Sequence, residues 1–249
     1  TFSFNAGKVT ETLPFGETLN YEVSEEKSVM DALRGFGNKF DVAPDNFKFS
    51  SNGLFGYIQY DALAYFEDIH LENTLPNEVP MMQYSVYQNI IVVDHYKNEL
   101  NLLEHRVAGA ETPELMDEIE MLLNSKNIPA YTFRKVGEEI SNYTDEEFLK
   151  ILNQGRDHCF RGDVFQIVLS RRFTTQFKGD EFNVYRALRS VNPSPYLFYF
   201  DYGSFKVFGS SPEAQIVVKG NKATLYPIAG TFKRTGNDQE DAELANKLA

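Results

Sequence analysis

Three short polar turns, each between two apolar runs, constrain the fold of this chain more than any other feature. "YKNE" separates "QNIIVV" from "LNLLEH", "DYGS" separates "PYLFYF" from "FKVFG", and "KGNK" separates "AQIVV" from "ATLYPI". Runs of this kind joined by short turns predict β-hairpins. Helical patterns are fewer. The sequence therefore predicts an α+β fold with largely antiparallel sheets and covering helices.

The helix signals are an apolar stripe, a cap followed by a first-turn proline, and a capping box whose helix ends at a glycine. The stripe is Val29, Leu33 and Phe36; the cap and proline are Thr112 and Pro113; the box is Thr144 with Glu147, and the terminal glycine is Gly162. The acidic segment "DQEDAELANKLA" predicts a further helix at the end of the sequence.

A boundary is predicted where residues 127–142 mix proline, glycine and charge without a clear period. We expect one unit over residues 1–140 and another over residues 141–249. The chain opens with Thr1 instead of methionine and stops within a helical pattern. These ends predict that the sequence is part of a longer protein.

Charge and cysteine content exclude several classes of protein. The net charge of −12 argues against a nucleic-acid partner, which requires a clustered basic face. No apolar run approaches the ~18 residues of a membrane span. The single cysteine, Cys159, excludes an internal disulfide and favours a cytoplasmic location.

General catalytic motifs are missing from the sequence. The four histidines show no metal-ligand spacing, and no GxGxxG, phosphate loop or GxSxG is present. Three segments associated with predicted strands remain. In "DVFQIVLSRRF", alternation places Gln166 on the face opposite Ile167, and the pattern alone favours a sheet face that is turned to water. "FGSSPE" places Glu213 after a predicted Gly-Ser-Ser turn, and in "LYPIAGT" Gly230 permits a close approach to the backbone.

These segments, taken together, resemble the chorismate-utilising enzymes, most closely the anthranilate synthase component I family. The resemblance covers nearly the whole chain. The segments that carry it are "GLFGYIQYDALAYFE" (53–67), "GDVFQIVLSRRF" (162–173), "NPSPYLFY" (192–199), "FGSSPE" (208–213) and "YPIAGTFKRTG" (226–236).

The resemblance implies a shared first step, in which a nucleophile adds at C2 of chorismate as the C4 hydroxyl leaves with help from magnesium. Family members that add water carry lysine where Gln166 stands, because water needs a base. Ammonia already has a lone pair and needs only orientation, which an amide supplies. Aminodeoxychorismate synthases carry a nucleophilic lysine where Ala229 stands. The implied nucleophile is therefore free ammonia.

Other roles follow from the same resemblance. Glu213 matches the general acid that protonates the departing C4 oxygen, a role that requires a desolvated carboxyl. Gly230 and Thr231 match positions that contact chorismate. The remaining positions match the wall of a pocket for L-tryptophan, which acts as a feedback inhibitor; they are Pro195, Tyr196 and Leu197.

The implied enzyme is a lyase of tryptophan biosynthesis that converts chorismate and ammonia to anthranilate and pyruvate. A separate glutamine amidotransferase subunit is the expected source of ammonia. The Mg²⁺ ligands are expected beyond Ala249, so this chain alone should be inactive. Two alternatives stay open: aminodeoxychorismate synthase component I, and a non-catalytic tryptophan-binding regulatory module.

Overall fold

The computed structural model describes residues 1–14, 16–43, 45–71, 79–109, 113–129, 131–228 and 233–248. The chain divides into two compact units, Thr1–Ile128 and Pro129–Ala249. The division falls within the stretch where the sequence predicts a boundary. The assignment of residues 1–140 to one subdomain and 141–249 to a catalytic core stays a prediction. None of the described helices combines the length and apolarity that a membrane crossing requires.

The first unit is built around a five-stranded antiparallel sheet with the strand order β3-β2-β1-β5-β4. Its elements in chain order are β1 (Phe2–Asn5), β2 (Lys8–Thr12), β3 (Thr18–Glu22), α1 (Val29–Gly37), β4 (Phe55–Ile58), a 3-10 helix (Tyr60–Tyr65), β5 (Met82–Ser85), β6 (Asn89–Asp94), β7 (Glu99–Glu104) and α2 (Met116–Asn124). Strands β6 and β7 form a separate hairpin.

The core of this unit lies between the sheet and α1. The predicted stripe of Val29, Leu33 and Phe36 is buried against Phe2 and Phe4 of β1. Ser28 caps α1, and Asp31 returns the bond to complete a capping box. The predicted helix is therefore confirmed.

The predicted start of α2 is wrong. The helix begins at Met116, and Leu115 at its N-cap supplies no side-chain hydrogen bond. Pro113 lies outside the helix, and its carbonyl accepts a hydrogen bond of 2.9 Å from the side-chain amide of Gln88. Thr112 lies outside the described residues.

The second unit consists of two-stranded antiparallel ribbons and helices. Its elements are β8 (Phe133–Ser141), α3 (Asp145–Arg161), β9 (Phe173–Gly179), α4 (Phe182–Val191), β10 (Tyr196–Asp201), β11 (Lys206–Ser211), β12 (Val217–Lys219), β13 (Lys222–Thr224) and α5 (Asp238–Leu248). The ribbons pair β8 with β9, β10 with β11, and β12 with β13.

All three predicted hairpins and the last predicted helix are confirmed. They are the pairs β6–β7, β10–β11 and β12–β13, followed by α5. The prediction for α3 is also confirmed, since Thr144 and Glu147 form the capping box and Gly162 closes the helix at a φ of 79°. The fold is thus a mixture of helices and antiparallel sheet, as predicted.

Candidate functional site

Glu213 lies at the end of β11 beside an open depression of about 320 Å³ that is lined by Ser211, Glu213 and Gln215. The predicted Gly-Ser-Ser turn is wrong, because Gly209, Ser210 and Ser211 all belong to β11. They stay in the strand because each faces a residue of β10 in the antiparallel ladder. The chain leaves the strand only at Pro212, which has no backbone N–H to continue it.

Ser211 fixes the backbone of Glu213. Its Oγ accepts a hydrogen bond of 3.3 Å from the Glu213 N–H and donates one of 3.2 Å to the Glu213 carbonyl. The Glu213 carboxyl itself is exposed. The described residues therefore hold Glu213 in place but do not supply the desolvation that a neutral general acid requires.

Gln166 lies in an irregular segment, residues 163–172, that connects α3 to β9. The predicted strand over "DVFQIVLSRRF" is wrong for residues 163–172, because the described residues provide no partner strand for them. Strand pairing begins at Phe173, the first residue of β9, which pairs with β8. Ile167 and Leu169 approach Gly155 of α3, and Ile167 is 42% exposed. Gln166 and Val168 are exposed, Val168 to 85%, and Phe165 is fully exposed.

Arg171 holds the far end of this segment. Its guanidinium donates hydrogen bonds of 2.8 Å to Ser141 Oγ, 2.7 Å to Asp145 Oδ1 and 2.7 Å to the Tyr143 carbonyl. It also lies against the Phe148 and Phe173 rings, at 5.8 and 4.7 Å from their centroids. The sequence reasoning missed Arg171, since its partners are between 26 and 30 residues away along the chain.

The predicted tryptophan segment enters β10. Pro195 and Tyr196 are exposed, whereas Leu197 is half-buried. Because side chains alternate along a strand, Tyr196 and Leu197 point to opposite faces of the hairpin. Ser210 Oγ donates a hydrogen bond of 2.6 Å to the Asn192 carbonyl and so ties the start of this segment to β11.

Helix α4 covers one face of the β10–β11 hairpin. Tyr185 of α4 packs against Tyr199 and Phe208, with centroid separations of 5.4 and 6.2 Å. Tyr196 and Phe198 lie on the opposite face, where both are partly exposed. The hairpin therefore presents aromatic side chains on the face that α4 does not cover.

A polar cluster joins the start of α4 to the face of the hairpin that this helix covers. Lys206 Nζ lies 2.9 Å from Glu181 Oε1, and the Tyr199 hydroxyl donates to the same oxygen at 3.3 Å. The hydrogen bond from Lys206 lowers the pKa of the Glu181 carboxyl, and the same bond raises the pKa of Lys206. Burial, followed by the charge of Glu181, raises the pKa of Tyr199. These groups stabilise the hairpin and do not line the depression beside Glu213.

Ala229, Gly230 and Thr231 lie outside the described residues. Leu225–Ile228, just before them, do not form the predicted strand, because β13 ends at Thr224. Over the described ranges, no three His, Cys, Asp or Glu side chains come together as a metal-binding group. A magnesium site is thus not formed by the residues that the structure describes.

The structure brings some predicted residues together and leaves others apart. Tyr196 pairs with Ser211, and Ser211 bonds to Glu213, so the tryptophan segment and the predicted general acid are joined. Gln166 does not line the depression beside Glu213. Ser211 and Gln215 were missed as lining residues; the sequence signal for Ser211 was present in "FGSSPE" but was interpreted as a turn.

Comparison with known proteins places these features in a family. Residues 3–249 match the model of the chorismate binding enzymes. Anthranilate synthase component 1 of Aquifex aeolicus is 33% identical over 79% of this chain and 42% of its own length. For the protein of the same name from Neisseria meningitidis serogroup B, the identity is 32% over 97% of this chain and 51% of its length. Aminodeoxychorismate synthase component 1 of Bacillus subtilis is 31% identical over 88% of this chain and 48% of its length.

The fold has a solved counterpart. The crystal structure of anthranilate synthase component I from Streptococcus pneumoniae TIGR4 matches with a TM-score of 0.69 and 26% identity, over 99% of this chain and 54% of that one. The chain spans about half the length of the curated relatives it matches. The family match extends over almost every residue, including the segments around Gln166 and Glu213. This chain belongs to the family of chorismate binding enzymes.

Proposed function

We propose that this chain is part of an anthranilate synthase component I. In the proposed reaction, chorismate and ammonia give anthranilate, pyruvate and water. The observation that carries the proposal is the exposed carboxamide of Gln166 at the position where water-adding relatives have lysine. An amide does not titrate, so it can orient ammonia but cannot act as the base that water needs.

Each predicted site residue has a role in this proposal. Gln166 orients ammonia for attack at C2 of the ring. Glu213 gives a proton to the C4 oxygen, which leaves as water; loss of pyruvate then gives the aromatic product. Gly230 and Thr231 contact chorismate through backbone and hydroxyl groups. The hydrogen bonds between Ser211 Oγ and the backbone of Glu213 support the role of this glutamate, because they fix the backbone from which its side chain extends.

The desolvation of Glu213 and the Mg²⁺ ligands are proposed to come from the part of the relatives' length that this chain does not span. Magnesium requires several oxygen ligands in near-octahedral geometry. The described residues contain no such group. No role in magnesium binding is therefore proposed for the described residues.

A glutamine amidotransferase subunit is the proposed source of ammonia, and L-tryptophan is the proposed inhibitor. The open aromatic face at Tyr196 supports the second proposal, because an indole ring packs favourably against proline and aromatic side chains. A cytoplasmic location agrees with the unpaired thiol of Cys159.

The aminodeoxychorismate synthase reaction is the second candidate, and the similarity to the Bacillus subtilis protein of that name favours it. It differs in requiring a covalent nucleophile at residue 229, where this chain has alanine. A tryptophan-binding module without catalysis is the remaining alternative.

The test uses the longer polypeptide that contains this chain, incubated with chorismate, ammonium and Mg²⁺. Anthranilate is measured by fluorescence, and other products are separated by chromatography. The proposal predicts anthranilate and no isochorismate. Accumulation of isochorismate or of 4-amino-4-deoxychorismate would overturn it, and tryptophan binding without any turnover would favour the regulatory module.

A further inference from the structure

Residues 163–172 run back along α3 without any strand partner among the described residues. Both ends and the middle of this segment nevertheless contact α3 or the residues that flank it. We call it the Gln166 segment. The described residues provide no backbone ladder for it, so among them the contacts with α3 and its flanks hold the segment that carries Gln166. The contacts can be followed from one end of α3 to the other.

The first attachment is at the C-terminal end of α3. The Asp163 N–H donates a hydrogen bond of 3.0 Å to the His158 carbonyl. Asp163 Oδ2 lies 2.8 Å from His158 Nδ1 and 2.9 Å from a guanidinium nitrogen of Arg161. Gly162 makes the reversal with its left-handed backbone. The segment therefore starts its return directly from the last turn of the helix.

The second attachment is at Gly155, the one buried residue of α3. A Cβ at this position would lie 3.3 Å from Leu169 Cδ1 and 3.5 Å from Ile167 Cγ2. Glycine disfavours the middle of a helix, so its use here needs a reason. The reason is space, because the absence of a side chain at Gly155 lets Ile167 and Leu169 pack against the helix at this position.

The third attachment is Arg171, whose guanidinium binds Ser141, Asp145 and the Tyr143 carbonyl as described above. The Arg172 N–H adds a bond of 2.8 Å to Asn142 Oδ1, and the Arg172 carbonyl accepts one of 3.2 Å from the Asn142 N–H. The segment is thus fixed at the N-terminal end of α3 as well.

We infer that Gly155 and Arg171 are positioning residues for Gln166: they hold the Gln166 segment against α3 so that the carboxamide faces away from the helix. The inference rests on the proposed role of Gln166 in orienting ammonia. Ile167 and Leu169 approach the helix at Gly155, whereas Val168 between them is 85% exposed, against 42% for Ile167, and Gln166 is exposed as well. A small shift of the segment relative to α3 therefore moves the carboxamide of Gln166 by a similar distance.

Gly155→Ala is the first test variant. The substitution favours the helix by propensity but pushes Leu169 outward by a few tenths of an ångström and brings the new methyl group into contact with Ile167. A structural role alone predicts an equal or higher melting temperature with unchanged activity. The positioning role predicts an equal or higher melting temperature together with an apparent KM for ammonium about tenfold higher and an unchanged KM for chorismate. The control is Asn153→Ala, an exposed position roughly on the opposite side of α3.

Arg171→Lys is the second variant. Lysine keeps the positive charge but cannot bind Ser141, Asp145 and the Tyr143 carbonyl at once. The expected result is again a higher KM for ammonium with little change for chorismate. The control is Arg172→Lys, because Arg172 is exposed and contacts Asn142 through its backbone. Kinetics are measured in the longer polypeptide.

The decisive measurement combines these variants with Gln166→Ala. If Gly155 and Arg171 act through Gln166, neither variant lowers activity further once the amide is removed. An equal additional loss in the Gln166→Ala background, or wild-type kinetics in both single variants, overturns the inference.

A readout that does not depend on activity separates this inference from the proposed function. The side-chain amide resonances of Gln166 and the methyl resonances of Ile167 and Leu169 are followed by NMR in the 249-residue chain. They should shift in Gly155→Ala and Arg171→Lys and stay in place in both controls. Absence of anthranilate from the wild-type longer polypeptide would overturn only the proposed function. Unchanged resonances in both variants would overturn the positioning.

Discussion

Tyr196 lies directly opposite Ser211 in the antiparallel ladder of β10 and β11. Ser211 also exchanges two hydrogen bonds with the backbone of Glu213. The segment that the family resemblance assigns to tryptophan and the residue that it assigns to general acid catalysis are therefore separated by a single cross-strand pair. Because the ladder is formed by backbone groups, side-chain changes at Tyr196 can be made without breaking this connection.

Truncation of Tyr196 is the test of the inhibitor segment. Tyr196→Ala removes the exposed ring but leaves the backbone pairing with Ser211, so we expect tryptophan inhibition to weaken about tenfold, with chorismate turnover within about twofold. Inhibition is measured by titrating tryptophan into the anthranilate assay of the longer polypeptide. Tyr196→Phe keeps the ring and is expected to keep inhibition. A parallel loss of turnover and inhibition would mean that Tyr196 supports the fold.

The role of Glu213 is tested by Glu213→Gln, which keeps the size of the side chain but removes the transferable proton. We expect turnover to fall at least ~100-fold, the usual scale for loss of a general acid. The control is Gln215→Ala in the same depression, for which a change below about threefold is expected. Near-normal turnover in Glu213→Gln would reassign the residue to structure.

Local signals in the sequence predict most of the elements. The box of Thr144 and Glu147 and the glycine at 162 define α3 from residues within one turn of each end, so neighbours in sequence suffice. The hairpins are predicted for the same reason, since each strand pairs with its immediate successor.

The Gln166 segment shows where local signals fail. Alternation predicts which side chains share a face, and Ile167 and Leu169 do share one, but it does not provide a partner strand. The contacts of Arg171 and the space left by Gly155 depend on residues far apart in sequence. They can be found only once α3 and the segment are placed side by side.

Gly56 is predicted to be irreplaceable in the first unit. A Cβ there would lie 1.9 Å from the Gln83 carbonyl oxygen and 2.8 Å from Tyr84 Cα, both backbone atoms of β5. Gly56→Ala must therefore push β4 from β5, and we expect a loss of about 2–3 kcal/mol in the free energy of unfolding. Gly35→Ala on the exposed side of α1 has free space around it and should gain about 0.5–1 kcal/mol. Urea unfolding followed by circular dichroism measures both; equal stabilities would contradict the close packing of β4.

Glu11 makes the stability of the first unit depend on pH. Its carboxyl is buried, and it accepts hydrogen bonds from Lys39 and, at 2.5 Å, from the Tyr21 hydroxyl. Burial raises the pKa of Glu11, but the bonds from Lys39 and Tyr21 outweigh it and leave the pKa below its ordinary value. The folded state therefore gains stability above the unfolded pKa and loses it as pH falls through the lower, folded pKa.

Glu11→Gln removes this dependence. We expect the variant to be about 2 kcal/mol less stable than the wild type at pH 7, with the difference shrinking as pH falls below about 4. Calorimetric melting between pH 3 and pH 7 measures it. Glu22→Gln on the adjacent strand is the control, because Glu22 is exposed and its ion pair with Lys8 spans 3.9 Å; little change is expected. A constant difference across the pH range would show that the Glu11 charge does not contribute.

The last prediction concerns the 249-residue chain by itself, which should make no anthranilate and bind no specific magnesium. Glu213 is exposed, so the described residues do not supply the desolvated surroundings that the proposed general acid requires. The described ranges also contain no group of acidic side chains for a metal. With a net charge of −12, an incomplete site should hold dianionic chorismate poorly. Calorimetric titration with chorismate and Mg²⁺, together with the fluorescence assay, measures this, and the longer polypeptide is the positive control. Clear turnover by the 249-residue chain would show that the site residues carried over from the family are wrong.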